Sequence, residues 1–444
     1  MTEYTNQTML FKEISHKKVH VDFNGGQISS DAGVILLREI ADRIGLFKRF
    51  SSVLPDRRHP GYVQHDISRL LTQRVFQIAC GYEDGNDSNE LRKDPIFKLG
   101  CGRLPDSEDL LASQPTMSRF ENAPSRTTLY RIAQTFVDVF CDSYKKEPEA
   151  VILDIDDTDD PTHGSQQLSL FNAYYDPYCY QPIHIFEGVS GKLITSILRP
   201  GKRPSGLQAA SILKRVHGRI RKNWRHTNIL FRGDSHYCAP KVLEMCESHN
   251  MTFVLGLKAN KILLEKAATL MTQAQELYEL KKQPVKIYGE FRYKAGSWKN
   301  TYRVIVKAEY NDKGPNTRFI VTNLLGAYRK FVYEDVYCGR GSMELMIKEL
   351  KNHLHSDRTS CSTFAANQFR LFLHSMAYVL LHNLREKHLA GTDLAEAQFD
   401  TIRIRLLKIG AIVVEKITKI KIHLSGGYPS KELFCRLYES CCSP

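Results

Sequence analysis

Residues 150–160 read AVILDIDDTDD, an apolar run of strand length that ends in five aspartates within seven positions. A strand turns successive side chains to opposite faces, so Asp154 and Asp156 share one face and Asp157 points the other way. Like charges a few ångströms apart raise each other's pKa, and such crowding is costly unless a cation binds there. A solvated acidic turn would account for this cluster alone equally well. The flanking chain narrows the choice. YQPIHIFEGVSGKLITSIL (180–198) reads as two strands joined by a turn at Ser190 and Gly191. A helix follows in GLQAASILKRVHGRIRK (206–222), then a strand in NILFRGD (228–234), a helix in APKVLEMCESH (239–249) and a strand in TFVLGL (252–257). Three strands and then alternating helices and strands predict an α/β domain with a mixed sheet.

The second apolar strand also ends in an acid, Asp234, behind Arg232 and Gly233. In open α/β sheets ligands collect beyond strand ends, and two strand-end aspartates could share one divalent ion; a turn or helix-capping role is the alternative for Asp234 alone. A third piece is YCGRGSMELMIKELK (337–351). At about 100° per residue, Tyr337, Arg340, Glu344 and Lys351 fall within an arc of about 60° on a helix. One stripe then carries a metal-type carboxylate among phosphate-type donors. An exposed face with an Arg340–Glu344 pair is the plainer reading of that segment taken by itself.

Working outward, VKIYGEFRYKA, TYRVIVKAEY and RFIVTN alternate with β-branched and aromatic residues, so a β-rich module follows a helix at 263–280. Residues 30–142 read helical, in GVILLREIADRIGLF, ISRLLTQRVFQIA and TLYRIAQTFVDVF. SQPTMSRFEN could form a helix-turn-helix corner, although capping explains its Ser and Thr as well. Beyond residue 341 helix returns, through FAANQFRLFLHSMAYVLLHNLREK, and TIRIRLLKIGAIVVEKITKIKIHL is expected to be a basic helical run.

The 444 residues are 42% apolar and 25% charged, which excludes a disordered chain and a small stapled scaffold. The net charge of +13 favours a polyanionic partner. The bias is concentrated at residues 188–233, where eleven Lys or Arg and no acid occur. That stretch includes Lys202, Arg203, Lys214, Arg215, Arg219, Arg221 and Lys222, and a phosphate-tracking surface explains it better than a solvated helix, which would intersperse acids. Apolar stretches 371–381 and 406–414 reach about half of the ~20 residues a membrane span needs. With no apolar amino-terminal run, a cytoplasmic location and reduced cysteines are expected, and no C-x-x-C pair supports zinc.

The spacing Y-x2-R-x3-E-x6-K, after D-x-T at Asp156–Thr158 and the strand-end Asp234, resembles the signature of the DDE transposases of bacterial insertion sequences, in the branch where a β-strand module separates the second Asp from the Glu. SSDAGVILLREI, GYEDGNDSNELRKDP and SQPTMSRFEN extend the likeness over most of the chain. The resemblance implies a ribonuclease-H-like core with Asp156, Asp234 and Glu344 as the acidic triad, and Asp154 as the rival first acid. It implies two Mg2+ ions, with Mn2+ as a substitute, and phosphate contacts from Tyr337, Arg340 and Lys351. Two ions ~3.5–4 Å apart can activate an oxygen nucleophile, stabilise the leaving 3′ oxygen and spread charge at phosphorus, so no covalent protein nucleophile is needed. The expected layout is a helical region at 1–148, a core in two parts at 149–280 and 324–360, a β-rich insertion at 281–323 and a helical region at 361–444. The expected partners are double-stranded DNA, as element ends and target, and a second copy of the chain in a synaptic dimer near the bacterial nucleoid. A metal-dependent nuclease without strand transfer and a catalytically idle DNA-binding protein are the competing functions. For Trp298, in a turn-like GSWKN of the insertion, the resemblance implies stacking on a flipped DNA base, and packing against its own strands is the plainer reading.

Overall fold

Ala150–Asp157 forms β1, flanked by parallel β4 (Asn228–Gly233) on one side and antiparallel β2 (Ile183–Glu187) on the other. This is a computed structural model, and it describes residues 8–442. β2 turns back into antiparallel β3 (Leu193–Ile197), and β4 pairs in parallel with β5 (Thr252–Leu257). The expected turn and helix order between these strands is present. β6 (Val285–Tyr293), β7 (Tyr302–Asn311) and β8 (Gly314–Thr322) form an antiparallel meander. They are not a separate module, because β8 pairs antiparallel with β5 and completes one eight-stranded sheet in the order β6-β7-β8-β5-β4-β1-β2-β3.

Alternation decides what each face of the sheet does. Val151, Leu153 and Ile155 of β1, with Ile229, Phe231, Phe253 and Leu255, pack against α1 (Arg126–Asp142), α2 (Gly206–Asn223) and α3 (Pro240–Ser248). Burying each of these large apolar side chains contributes about 1.5–3 kcal/mol. α2 starts at a capping box in which Ser205 and Gln208 satisfy each other's backbone donors. α4 (Lys261–Lys281), capped by Asn260, covers β6 and β7. The opposite face carries Val254, Ile305 and Ile320, and these meet Val332 and Tyr333 of a long irregular helix, α5, at residues 329–353. Phe364–Asn383 forms α6, which reads in sequence as a core helix and is buried along most of its length.

The chain separates into two compact units, Glu121–Val379 and a second one built from the residues up to Phe120 together with those from Leu380 onward. The expected boundary at residue 148 is therefore displaced. α1 belongs with the sheet because its apolar stripe, Val137, Phe140 and Cys141, is part of the sheet's own core. The second unit holds a hairpin, Met9–Ile14 with Lys17–Val21, and helices that include Val34–Arg43 and Ile67–Ala79. Its carboxy-terminal part is not wholly helical as expected. Ala411–Lys416 and Lys419–Leu424 form an antiparallel hairpin, joined on its other side to Ile28–Ser29. Gly410 precedes that hairpin, and Ile420, Ile422 and Leu424 alternate with polar residues, a period of two that favours strand over helix. Lys408 reaches the buried Asp31 at 2.7 Å, and Tyr82 donates to the same carboxylate, which ties the two chain segments of this unit together. Among the described residues no helix is long and apolar enough to cross a membrane.

Candidate active site

The five aspartates of the 154–160 cluster are separated by their partners. Asp154 is fully buried and receives two hydrogen bonds from Arg232, at 2.6 and 2.5 Å, across the parallel β1–β4 register. Arg232 in turn donates to the Val336 carbonyl of α5. Burial raises the Asp154 pKa and the guanidinium opposes the shift. The pair is a structural brace, and Asp154 has no free oxygen to offer an external cation. Asp157 points away, where Tyr237 donates at 2.8 Å and Gln181 makes a short hydrogen bond. Asp159 pairs with Lys351 at 2.9 Å. Asp160 is buried.

Of the two acids on the shared face of the strand, Asp156 is the accessible one. Its side chain is 21% exposed, against 0% for Asp154, and Arg340 lies 2.7 Å from it. Burial is the main cause that pushes its pKa up; Arg340 opposes this, while the charges of Asp157 and Asp234 push it further up. The charge that Asp156 feels from Asp234 places the two acids in one electrostatic neighbourhood. Asp234 follows β4 directly and caps its own turn by accepting from the His236 backbone N–H at 2.9 Å. His236 does not face the acids, since its Nε2 is 2.8 Å from the Pro204 carbonyl oxygen.

α5 supplies the third side. It is helical from Arg329 to His353, but it passes through π turns at Val332–Tyr337, 3-10 turns at Cys338–Gly341, α turns at Ser342–Lys348 and π turns again at Glu349–His353. Tyr337 packs its hydroxyl over Gly256 of β5, beside the Asp234–Ser235 backbone; a Cβ at Gly256 would lie 2.7 Å from that oxygen and 2.8 Å from the Ser235 nitrogen. Arg340 meets Asp156, and Lys351 meets Asp159 together with the Thr158 hydroxyl at 3.4 Å. Three of the four stripe residues thus face the ends of β5, β4 and β1.

Glu344 is exposed and makes no ion pair among the described residues. The mixed turns change the angular spacing of the four residues from that of a uniform α-helix. A 3-10 segment advances about 120° per residue and an α-helix about 100°, so four residues at Cys338–Gly341 add about 80°. Among the described residues no group of three or more His, Cys, Asp and Glu side chains is arranged to hold a metal ion. Asp156 and Asp234 are carboxylates, oxygen donors of the type that hard cations take.

The expected DNA-facing residues divide in the same way. Lys202, Arg203, Lys214, Arg215 and Lys222 are exposed. Arg221 is half-buried and donates to the Trp224 carbonyl. Arg219 holds Asp138 of α1 through two hydrogen bonds, at 2.7 and 2.5 Å, and is a brace between helices. Arg232, counted with the basic stretch in sequence, belongs to the Asp154 pair. Trp298 packs within its own strands: its ring is 5% exposed, edge-on to Tyr293 and Tyr302 at 5.5 and 5.4 Å within the main core. Sequence reading missed Arg199, whose pKa is lowered by burial and which feels the charges of Tyr237 and Asp157. It also missed Tyr237, whose hydroxyl holds Asp157. Both lie within a few residues of quoted motifs, but only the packing of the strand ends reveals them.

A family model described as transposase DDE domain group 1 matches residues 11–441. No curated protein matches the chain.

Proposed function

The chain belongs to the transposase DDE domain group 1 family, and on that premise we propose that it cleaves DNA at the ends of a mobile element and joins those ends to a target. The observation that carries the proposal is the convergence of Tyr337, Arg340 and Lys351, from one helix, on the Asp234 turn, Asp156 and Asp159. The strand order β3-β2-β1-β4-β5, with β2 antiparallel and β4 and β5 parallel to β1, supports a ribonuclease-H-like core. Asp156 and Asp234, with Glu344 as the third acid, would hold Mg2+ or Mn2+. When bound, such ions activate an oxygen nucleophile and neutralise charge on the phosphoryl group and leaving oxygen.

The chain's own residues prepare that chemistry. Arg340 gives Asp156 its counter-charge in the protein alone. On DNA it can turn to a phosphate oxygen, as its planar fork of donors suits. Lys351 offers a point charge beyond the end of β1. Asp157, clamped by Tyr237 and Gln181, fixes the backbone that carries Asp156. Lys202, Arg203, Lys214, Arg215 and Lys222 bind DNA phosphates, and Arg340 and Lys351 bind those nearest the scissile bond. A dimer would bring two element ends together.

A supercoiled plasmid carrying the element's ends, incubated with the full chain and Mg2+, tests the proposal. Joined products, in which element ends are linked to new target DNA, are expected. Cleavage without joining would favour a nuclease, and binding without cleavage would favour an idle DNA-binding protein.

A further inference from the structure

Between β1 and β2 the chain makes a small ribbon, residues 160–180, in which Asp160–Pro161 and Leu170–Phe171 both pair with Tyr178–Tyr180. Its outer side is aromatic and unusually bare. Phe171 is 50%, Tyr174 74% and Tyr178 60% exposed. Phe171 and Tyr178 are cross-strand partners with ring centroids 5.7 Å apart. Burying such rings against protein would be worth more than leaving them in water, so their exposure calls for a partner.

A cationic loop is fastened to this ribbon. Pro200 bridges Tyr180, Asn172 Nδ2 donates to the Gly201 carbonyl at 3.1 Å, and a Cβ on Gly201 would lie 2.2 Å from the Cys179 carbonyl oxygen and 2.5 Å from that of Leu170. Only glycine fits there, so the loop that carries Lys202 and Arg203 is held close to the ribbon. Arg203 sits over the Tyr174 ring, 5.1 Å from its centroid. The loop also leads to the candidate site: Pro204 accepts from His236, whose backbone N–H binds Asp234. Tyr175, the ring edge-on to Tyr174 at 4.9 Å, has its hydroxyl pushed up to about 12, by burial first and then by the charges of Asp157 and Asp159.

We propose that Phe171, Tyr174 and Tyr178, with Lys202 and Arg203, form a stacking platform for unpaired nucleotides of the DNA strand next to the scissile phosphate. Exposed rings interleaved with cations suit single-stranded nucleic acid, because every base has a π face and every linkage a negative charge. The charge favours this occupant over a protein or a second copy: the loop belongs to the acid-free stretch 188–233, and ribbon residues 160–180 hold two acids, the buried Asp160 and Asp176. The inference rests on the transposase reading and assigns to that site a strand-separated substrate, received by the ribbon and not by Trp298.

The test compares binding of the full chain to a blunt duplex and to the same duplex with a four-nucleotide single-stranded tail carrying 2-aminopurine. A stacked base tightens binding by about fivefold or more, so the tailed duplex is expected to bind at least about fivefold more tightly, with quenched 2-aminopurine fluorescence. The triple variant Phe171→Ala, Tyr174→Ala, Tyr178→Ala is expected to lose preference and quenching while binding the blunt duplex within twofold of wild type. Tyr174→Trp alone should retain both. Wild-type chain that binds both duplexes equally without quenching overturns the platform and leaves the transposase reading standing. A triple variant that keeps the preference also overturns it. Failure of the wild-type chain to bind either duplex overturns the transposase reading itself. The wild-type fluorescence decides the matter even if the triple variant does not fold.

Discussion

Asp154 and Asp156 are two residues apart on one face of one strand, yet their environments give them opposite tasks. Asp154 is enclosed with Arg232, and breaking a buried pair by removing one partner typically costs about 3–5 kcal/mol. Arg232→Met and Asp154→Leu are therefore each expected to lower the unfolding free energy by that amount in a denaturant titration. Asp156→Asn should change stability by less than about 1 kcal/mol, since its partner Arg340 can reach solvent, and should end DNA cleavage. The raised pKa of Asp156 sets the direction of the pH response. Its carboxylate is ionised only above a value higher than that of a free aspartate, so metal-dependent cleavage should fall as pH drops through that raised value, and to do so at higher pH than a free aspartate would dictate. The doubled L-D-I-D was legible as a candidate pair from sequence, and its resolution was not. The missing information was the parallel register that sets Arg232 opposite Asp154, two strands that the chain separates by a hairpin and a helix.

At the scale of elements, the strands and helices of the sheet unit were legible because their periods are clean and their turns are marked by Ser-Gly, Pro and capping residues. The β-rich segment was recognised, but its pairing with β5 depends on partners far apart in sequence. The carboxy-terminal hairpin was misread because short apolar runs fit both periods, and Lys side chains on an amphipathic helix look like those on a strand. α5 is the element whose irregularity matters most. Along its mixed turns it carries Tyr337, Arg340 and Lys351 to the strand ends, while Glu344 is exposed. Gly256→Val should displace Tyr337 from the Asp234 turn and reduce cleavage severalfold with the chain still folded, as measured by circular dichroism alongside the plasmid assay. On α2, Lys214→Ala, Arg215→Ala and Lys222→Ala together should lower the slope of log K against log salt by about 2.7 if each contacts one phosphate. Arg219→Ala should instead cost about 1 kcal/mol of stability, because it releases Asp138.

For the whole molecule, the positive charge seen in sequence is spread unevenly between bracing and binding. Arg219 and Arg232 hold elements together, whereas Lys202, Arg203, Lys214, Arg215 and Lys222 remain at the surface. An ion that binds only the folded state adds stability by mass action, about 2.7 kcal/mol at a hundredfold excess over Kd. Mn2+ or Mg2+ should therefore raise the melting temperature of the wild-type chain, and the rise should vanish in Asp156→Asn and Asp234→Asn. The central claim is that three acids, Asp156, Asp234 and Glu344, carry one metal-dependent reaction, and Glu344 is the exposed member, with no ion pair among the described residues. The most direct measurement is the rate of end cleavage with Mg2+ by Glu344→Gln, at a DNA concentration that saturates binding. The account predicts wild-type affinity for the element ends with cleavage reduced to background; cleavage by Glu344→Gln at the wild-type rate would contradict it.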